Sequence, residues 1–208
     1  MKVKSPKIKN IIDYDINKSI KDCDFNNYRY TNSINEKALL NDIVIDSCIF
    51  ENIDFSNIEF DRVELIDVIF KNCDLSNKIF DYTSIDRVEF QDCKMTGVSF
   101  IGSSINDILI NDSNFSYANF ADAKINNMII NNSDLSNISF YETNLKNIEF
   151  NKVNFSMSEI SNTNLNNIDF SSCNISSMII DLKSLEGIII DRFQAVDLVN
   201  ILGVKVKE

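Results

Sequence analysis

The sequence predicts an all-β solenoid, and two observations carry that expectation. The first is a period of five. Every position divisible by five from Leu40 to Ile190 is Leu, Ile, Phe or Met, 31 in a row. In a chain that is 44% hydrophobic, such a run arises by chance on the order of once in 10¹¹. That period belongs to neither an α-helix nor a simple alternating strand. The second is composition. With 4 Gly and 1 Pro in 208 residues, any tight turns must be made by Asn, Asp and Ser, which are abundant. A length of 208 residues with 25% charged side chains fits one domain and is too apolar for a disordered chain.

The neighbours of these central residues are equally regular. Two positions before each centre stand mostly Cys, Ser, Thr, Ala, Val or Ile, and the residue just before is often Asp or Asn. Examples are Cys23-Asp24-Phe25, Cys73-Asp74-Leu75, Ser113-Asn114-Phe115, Ser133-Asp134-Leu135 and Thr163-Asn164-Leu165. The motif resembles the pentapeptide repeat, A(D/N)LXX, over residues 20 to 190. That resemblance implies a right-handed quadrilateral β-helix, with four pentapeptides per 20-residue coil and the centre and its partner two residues earlier both pointing inward.

The sequence offers a check, because centres 20 apart should then stack in columns of distinct character. Phe60, Phe80, Phe100, Phe120 and Phe140 form an aromatic column. The adjacent column of Ile45, Leu65, Ile85, Ile105, Ile125, Leu145, Leu165 and Leu185 is aliphatic. Among the partners, large residues (Val68, Val88, Ile108, Met128, Ile148, Ile168, Ile188) alternate around the square with small ones (Cys73, Cys93, Ser113, Ser133, Val153, Cys173), as a narrow interior at native density requires. Stacked at about 4.8 Å, eight to nine coils would make a rod about 40 Å long. Its ends need caps, so residues 1–20 are assigned to an N-terminal cap, 21–190 to the coil and 191–208 to a C-terminal segment.

All five cysteines, Cys23, Cys48, Cys73, Cys93 and Cys173, fall at partner positions and are predicted to be small buried hydrophobes. A zinc site at Cys73 and Cys93 is disfavoured, since their spacing is the coil period and the chain has no His. Three residues break the pattern. Asn35 occupies a centre, so the first coil should be irregular; Lys78 and Lys183 occupy partner positions, and the wall near 78 should bulge.

After Ile190 the period stops. Ala195, Leu198, Val199 and Leu202 stand at helical spacing, with Gly203 as a stop and Val204-Lys205-Val206 as a final extended strand. A helix of about three turns is expected here, either covering the coil's open end or forming a dimer contact. The stretch carried by Asp191, Phe193, Gln194, Ala195, Leu198, Leu202, Gly203, Val204 and Val206 resembles the C-terminal segment of the Qnr proteins, which protect DNA gyrase from quinolones. That resemblance implies a homodimer joined through Phe193, Gln194, Ala195, Leu198, Val199 and Leu202. Qnr proteins of Gram-negative bacteria carry loops that interrupt the coil and touch the enzyme. Here no insertion falls between 40 and 190, which is closer to the loop-free relatives of Gram-positive bacteria and mycobacteria.

Catalysis finds no footing in the sequence. There is no His to serve as general base or pair with Ser or Cys, and four glycines make no phosphate-binding loop. The expectation is a non-enzyme with no metal and no cofactor. The net charge of −11 argues against binding nucleic acid, whose affinity comes largely from Lys and Arg, and for basic partners. Membrane association is not expected, because no window approaches a transmembrane span and the start lacks an apolar run of signal-peptide length. An odd cysteine count does not fit a secreted disulfide framework, and the cytoplasm is the expected compartment.

Read by face, the side containing Phe60 to Phe140 carries Asp42, Glu59, Asp61, Asp81, Asp122, Glu142, Glu159 and Asp181 at outward positions. A dimer of two chains at −11 each would carry about −22 over roughly 80 Å. That is within about a factor of three of the charge density of duplex DNA. Joined to the Qnr resemblance, this predicts a DNA mimic whose partners are DNA gyrase or topoisomerase IV. The alternatives are an interaction module with another protein partner, or immunity to a different gyrase poison.

Overall fold

The computed structural model describes residues 2–199 and 204. The chain forms a parallel β-solenoid of about eight turns. Every strand pairing is parallel and lies 20 residues apart beyond the first coil, as in Ile85 with Ile105 and Ile105 with Ile125. Five eight-residue strands, Glu64–Lys71, Ser84–Gln91, Ser104–Asn111, Lys124–Asn131 and Asn144–Asn151, stack as the backbone of the largest sheet. Each spans two sides of the square and bends once at its middle. The other two sides turn more sharply, closed by bonds such as Val98 N–H to Met95 O and Ser103 N–H to Phe100 O.

The corners explain the composition. From Asn27 to Gly187, nearly every residue two positions after a centre has positive φ, between about 48° and 75°. Asn and Asp tolerate this left-handed conformation better than other side chains, and they fill most of these corners. At Gly102 a side chain is disfavoured for a second reason as well: a Cβ would lie 2.5 Å from the Tyr82 ring.

Centres and partners together make one continuous core. The Phe60–Phe140 rings stack at 5.0 to 5.5 Å. A second aromatic column on the opposite side runs through Tyr30, Phe50, Phe70 and Phe90 at 5.0 to 5.2 Å. It yields to Ile110 and Ile130 and resumes at Phe150 and Phe170. The small partners do more than fill space. Ser113 Oγ accepts the Cys93 N–H and Ser133 Oγ accepts the Ser113 N–H, while the Cys73 and Cys93 thiols lie against the Phe50 and Phe70 carbonyls. A polar atom at these positions satisfies backbone groups that would otherwise be buried unpaired.

Four cysteines are buried, but Cys23 is exposed, a correction to the expectation for all five. It is the left-handed C-cap of the helix Ile16–Asp22, so it precedes the register that would turn it inward. Asn35 is exposed as well, and Ile34 is buried in its place, which makes the first coil irregular.

Lys78 keeps its partner position by sending its ammonium along the rod to Ile58 O (2.7 Å) and Ser56 O (3.3 Å). In the next coils a backbone N–H fills that role, Ser99 to Lys78 O and Asn119 to Val98 O. The wall is thus a paired strand from 38–41 to 58–61, is held by a side chain at 78, and resumes as a backbone ladder at Ile79 with Ser99. Lys183 instead points out, and the register slips by one. Ser184 is buried, and its hydroxyl accepts the Thr163 N–H, as Thr163 Oγ1 does for Thr143.

Candidate partner-binding surfaces

Two surfaces were expected to bind partners, the acidic wall and the tail. On the wall, Asp42, Glu59, Asp61, Asp122, Glu142 and Glu159 are exposed, and Asp81 and Asp181 are half-buried. Stacking in register puts Asp122 and Glu142 one coil apart, or about 4.8 Å along the rod. From Asp42 to Asp181 the series spans about seven coils, roughly 34 Å.

The eight carboxylates are not equivalent. Asp42 is paired with Arg62 through Nε and Nη2, and Asp61 lies 3.5 Å from the same guanidinium. The Arg62 hydrogen bond, outweighing a small desolvation cost, holds Asp42 below the usual carboxylate range. Asp81 accepts from Ser99 Oγ and the Ile101 N–H. Among the described residues, the free charge of the wall therefore concentrates at Glu59, Asp122, Glu142 and Glu159. No sequence signal distinguished these from the rest, because Arg62 and Ser99 meet their partners only once the coil stacks.

Asp181 is built into the last coil. Its oxygens accept from the Asn162, Lys183 and Ser184 N–H groups and from Ser184 Oγ. The Ser184 hydroxyl foremost, with those amides overriding desolvation, brings its carboxyl to about 2. A folded-state value below the ordinary one means stability that is fully present above the ordinary value and is lost as pH falls through about 2. Asp181→Asn is therefore expected to melt at lower temperature than the wild type at pH 7, with the gap closing as the pH is lowered towards 2. Thermal melts across that range check it.

In the tail, the helix is Gln194–Val199; Leu202, Gly203, Lys205 and Val206 lie outside the described residues. Asp191 caps it, accepting the Phe193 and Gln194 N–H groups. Gln194 is buried, with Nε2 donating to Phe170 O (2.8 Å) and Cys173 O (2.7 Å). This plugs the open end of the coil by occupying carbonyls that have no further coil to pair with. Leu198 is buried beside it and Val199 half-buried, whereas Ala195, Val196 and Phe193 are exposed, Phe193 by 69%. The expected single apolar face thus divides into an inward part, Gln194 and Leu198, and an outward part, Phe193 and Val196. Val204 is exposed and outside any strand.

Cys48 and Cys173 are poor ligands and nucleophiles. Burial pushes the Cys48 thiol up to about 12 and raises Cys173, against the lowered values that reactivity requires. Among the described residues, no helix is long and apolar enough to cross a membrane.

The pentapeptide repeat region model matches residues 43–120, and the model for eight copies of the pentapeptide repeat matches 118–156. The chain belongs to the pentapeptide-repeat family. No curated protein matches the chain. Among solved pentapeptide-repeat structures, trypsin-treated QnrB1, a plasmid-mediated fluoroquinolone resistance protein, is 22% identical with a TM-score of 0.49, covering 88% of this chain and 91% of that one. Full-length QnrB1 is 24% identical with a TM-score of 0.42, covering 86% and 89%. HetL, involved in heterocyst differentiation regulation in the cyanobacterium Nostoc, is 10% identical with a TM-score of 0.33, covering 80% and 84%.

Proposed function

We propose that this pentapeptide-repeat protein is a binding rod that occupies the DNA-binding surface of DNA gyrase or topoisomerase IV and so protects the enzyme from quinolones. It performs no chemistry of its own and needs no metal or cofactor. Its compartment is that of its target, the cytoplasm. The observation that carries this reading is the wall of exposed carboxylates in stacked register on a stiff scaffold, with Glu59, Asp122, Glu142 and Glu159 in no ion pair among the described residues. Carboxylates fixed on stacked coils need no reorganisation to meet a surface built for phosphates. The Qnr-like tail motif adds the choice of target.

The test is a supercoiling assay with purified gyrase and a fluoroquinolone. The chain should relieve the drug's inhibition at low ratio and inhibit gyrase itself at high ratio, because a mimic competes with the substrate. If it does neither, the role passes to an interaction module for a different protein.

A homodimer through the tail belongs to the same reading. Gln194 and Leu198 serve their own chain, so the contact falls to Phe193 and Val196, which are too apolar to favour exposure. Light scattering on the Phe193→Asp, Val196→Asp variant should report a folded monomer where the wild type is a dimer. A dimer that survives both changes has its interface elsewhere.

A further inference from the structure

Only two carboxylates among the described residues are buried, Asp67 (6% exposed) and Asp107 (4%), and neither belongs to the acidic wall. Both are left-handed corners at the middle of long strands, φ 55° and 53°. They stand in one column with Arg87 between them and Asn127 beyond. What covers them is the start of the chain. Residues 2–9 run outside the coil, and Asn10, with φ 53°, turns them into the pairing of Ile12–Asp13 with Tyr28–Arg29. Asp67 accepts the Lys7 N–H at 2.8 Å. Asp107 accepts both the Lys4 N–H at 3.1 Å and the Lys4 ammonium at 3.2 Å.

The spacing fits an extended segment laid parallel to the rod axis. Three residues of extended chain cover about 10 Å, and two coils rise about 9.6 Å. The strap is Lys-Val-Lys-Ser-Pro-Lys-Ile-Lys, basic, with apolar residues at 3, 6 and 8. Its Val3, Pro6 and Ile8 are half-buried, as are the outward-facing Ile69, Leu109 and Ile129 of the sheet. Among the described residues the core holds none before Tyr14, so the strap lies on a wall that is complete without it. Burial works against the charge of both carboxylates; Arg87 and Lys7 overcome it at Asp67, and Lys4 at Asp107.

We propose that this column is a docking groove for an extended, lysine-bearing peptide segment of a partner protein, with residues 2–9 as its resident, displaceable occupant. Asp107 and Asp67 read two backbone amides of the guest three residues apart, and the half-buried sheet residues beside them take its apolar side chains. A tethered occupant competes at an effective concentration in the millimolar range, so the groove is largely closed to a guest in trans until the strap lets go. The inference does not depend on the proposed gyrase target, because the groove is separate from the acidic wall.

The experiment uses the full chain and a fluorescein-labelled peptide, KVKSPKIK. In Lys4→Glu, Lys7→Glu the resident strap is repelled, and peptide affinity measured by anisotropy should rise at least tenfold over wild type. Adding Asp107→Asn to that variant should reduce it again by about tenfold or more, with the melting temperature unchanged. A scrambled peptide of the same composition should bind more weakly than KVKSPKIK. Equal affinity for the scrambled peptide, no gain on releasing the strap, or indifference to Asp107→Asn would each overturn the proposal.

Discussion

Phe100→Asp is expected to abolish folding of the central coils. Phe100 is buried, with its ring 5.5 Å from Phe80 and 5.0 Å from Phe120. Truncating a buried Phe costs about 3–5 kcal/mol, and an unpaired carboxylate in the same place adds a desolvation penalty of several more. A typical domain has about 5–15 kcal/mol in total. In a solenoid each coil rests only on its neighbours, so losing the middle leaves two short stacks with raw ends. Far-UV circular dichroism should show no cooperative melt for Phe100→Asp, while Phe100→Leu should keep one, shifted down by about 1–2 kcal/mol. A folded Phe100→Asp would mean that the ring column is not the spine of the rod.

The second large effect is on binding. Asp122→Lys with Glu142→Lys replaces two free carboxylates one coil apart by two cations. If the wall meets a surface built for phosphates, gyrase affinity should fall by about a hundredfold. The fold should be kept with a modest loss of stability: both side chains are exposed, Glu142 already holds its left-handed corner (φ 53°) without an Asn or Asp side chain, and the added cost is that of placing Lys instead of Asp at the corner at 122 (φ 58°). Asp81 makes a worse test, because it accepts from Ser99 and Ile101 and its loss perturbs the wall itself. Affinity by titration and melting temperature on the same samples separate the two effects. Unchanged affinity would place the contact on another face.

The contrast between these two residue sets also marks what the sequence reveals. Phe100 is legible because one inward position per pentapeptide must be apolar in every coil, so a single period exposes the whole core. The corners leave a weaker trace: Asn and Asp abound, but their role needs the positive φ of the folded chain. The state of each carboxylate leaves none, since Asp42 and Asp122 are alike in sequence and differ only because Arg62 stacks beside one of them. Cys23 obeys the spacing and yet is exposed, because a helix cap overrides the register at the end of the rod. Lys183 and Ser184 show the same at the other end, where a one-residue slip puts the hydroxyl inside and the ammonium out. The strap is the extreme case. Residues 2–9 have no period, and their place is set by Asp67 and Asp107, each more than fifty residues away in sequence.

Gyrase affinity as a function of salt tests the central claim most directly. A rod that binds in place of DNA through free carboxylates should bind tightly at about 50 mM salt and lose affinity steeply as screening shortens towards about 10 Å near 0.1 M and beyond. Duplex DNA should displace it competitively at each concentration. Binding that is flat in salt, or that persists while DNA is bound, would contradict the account.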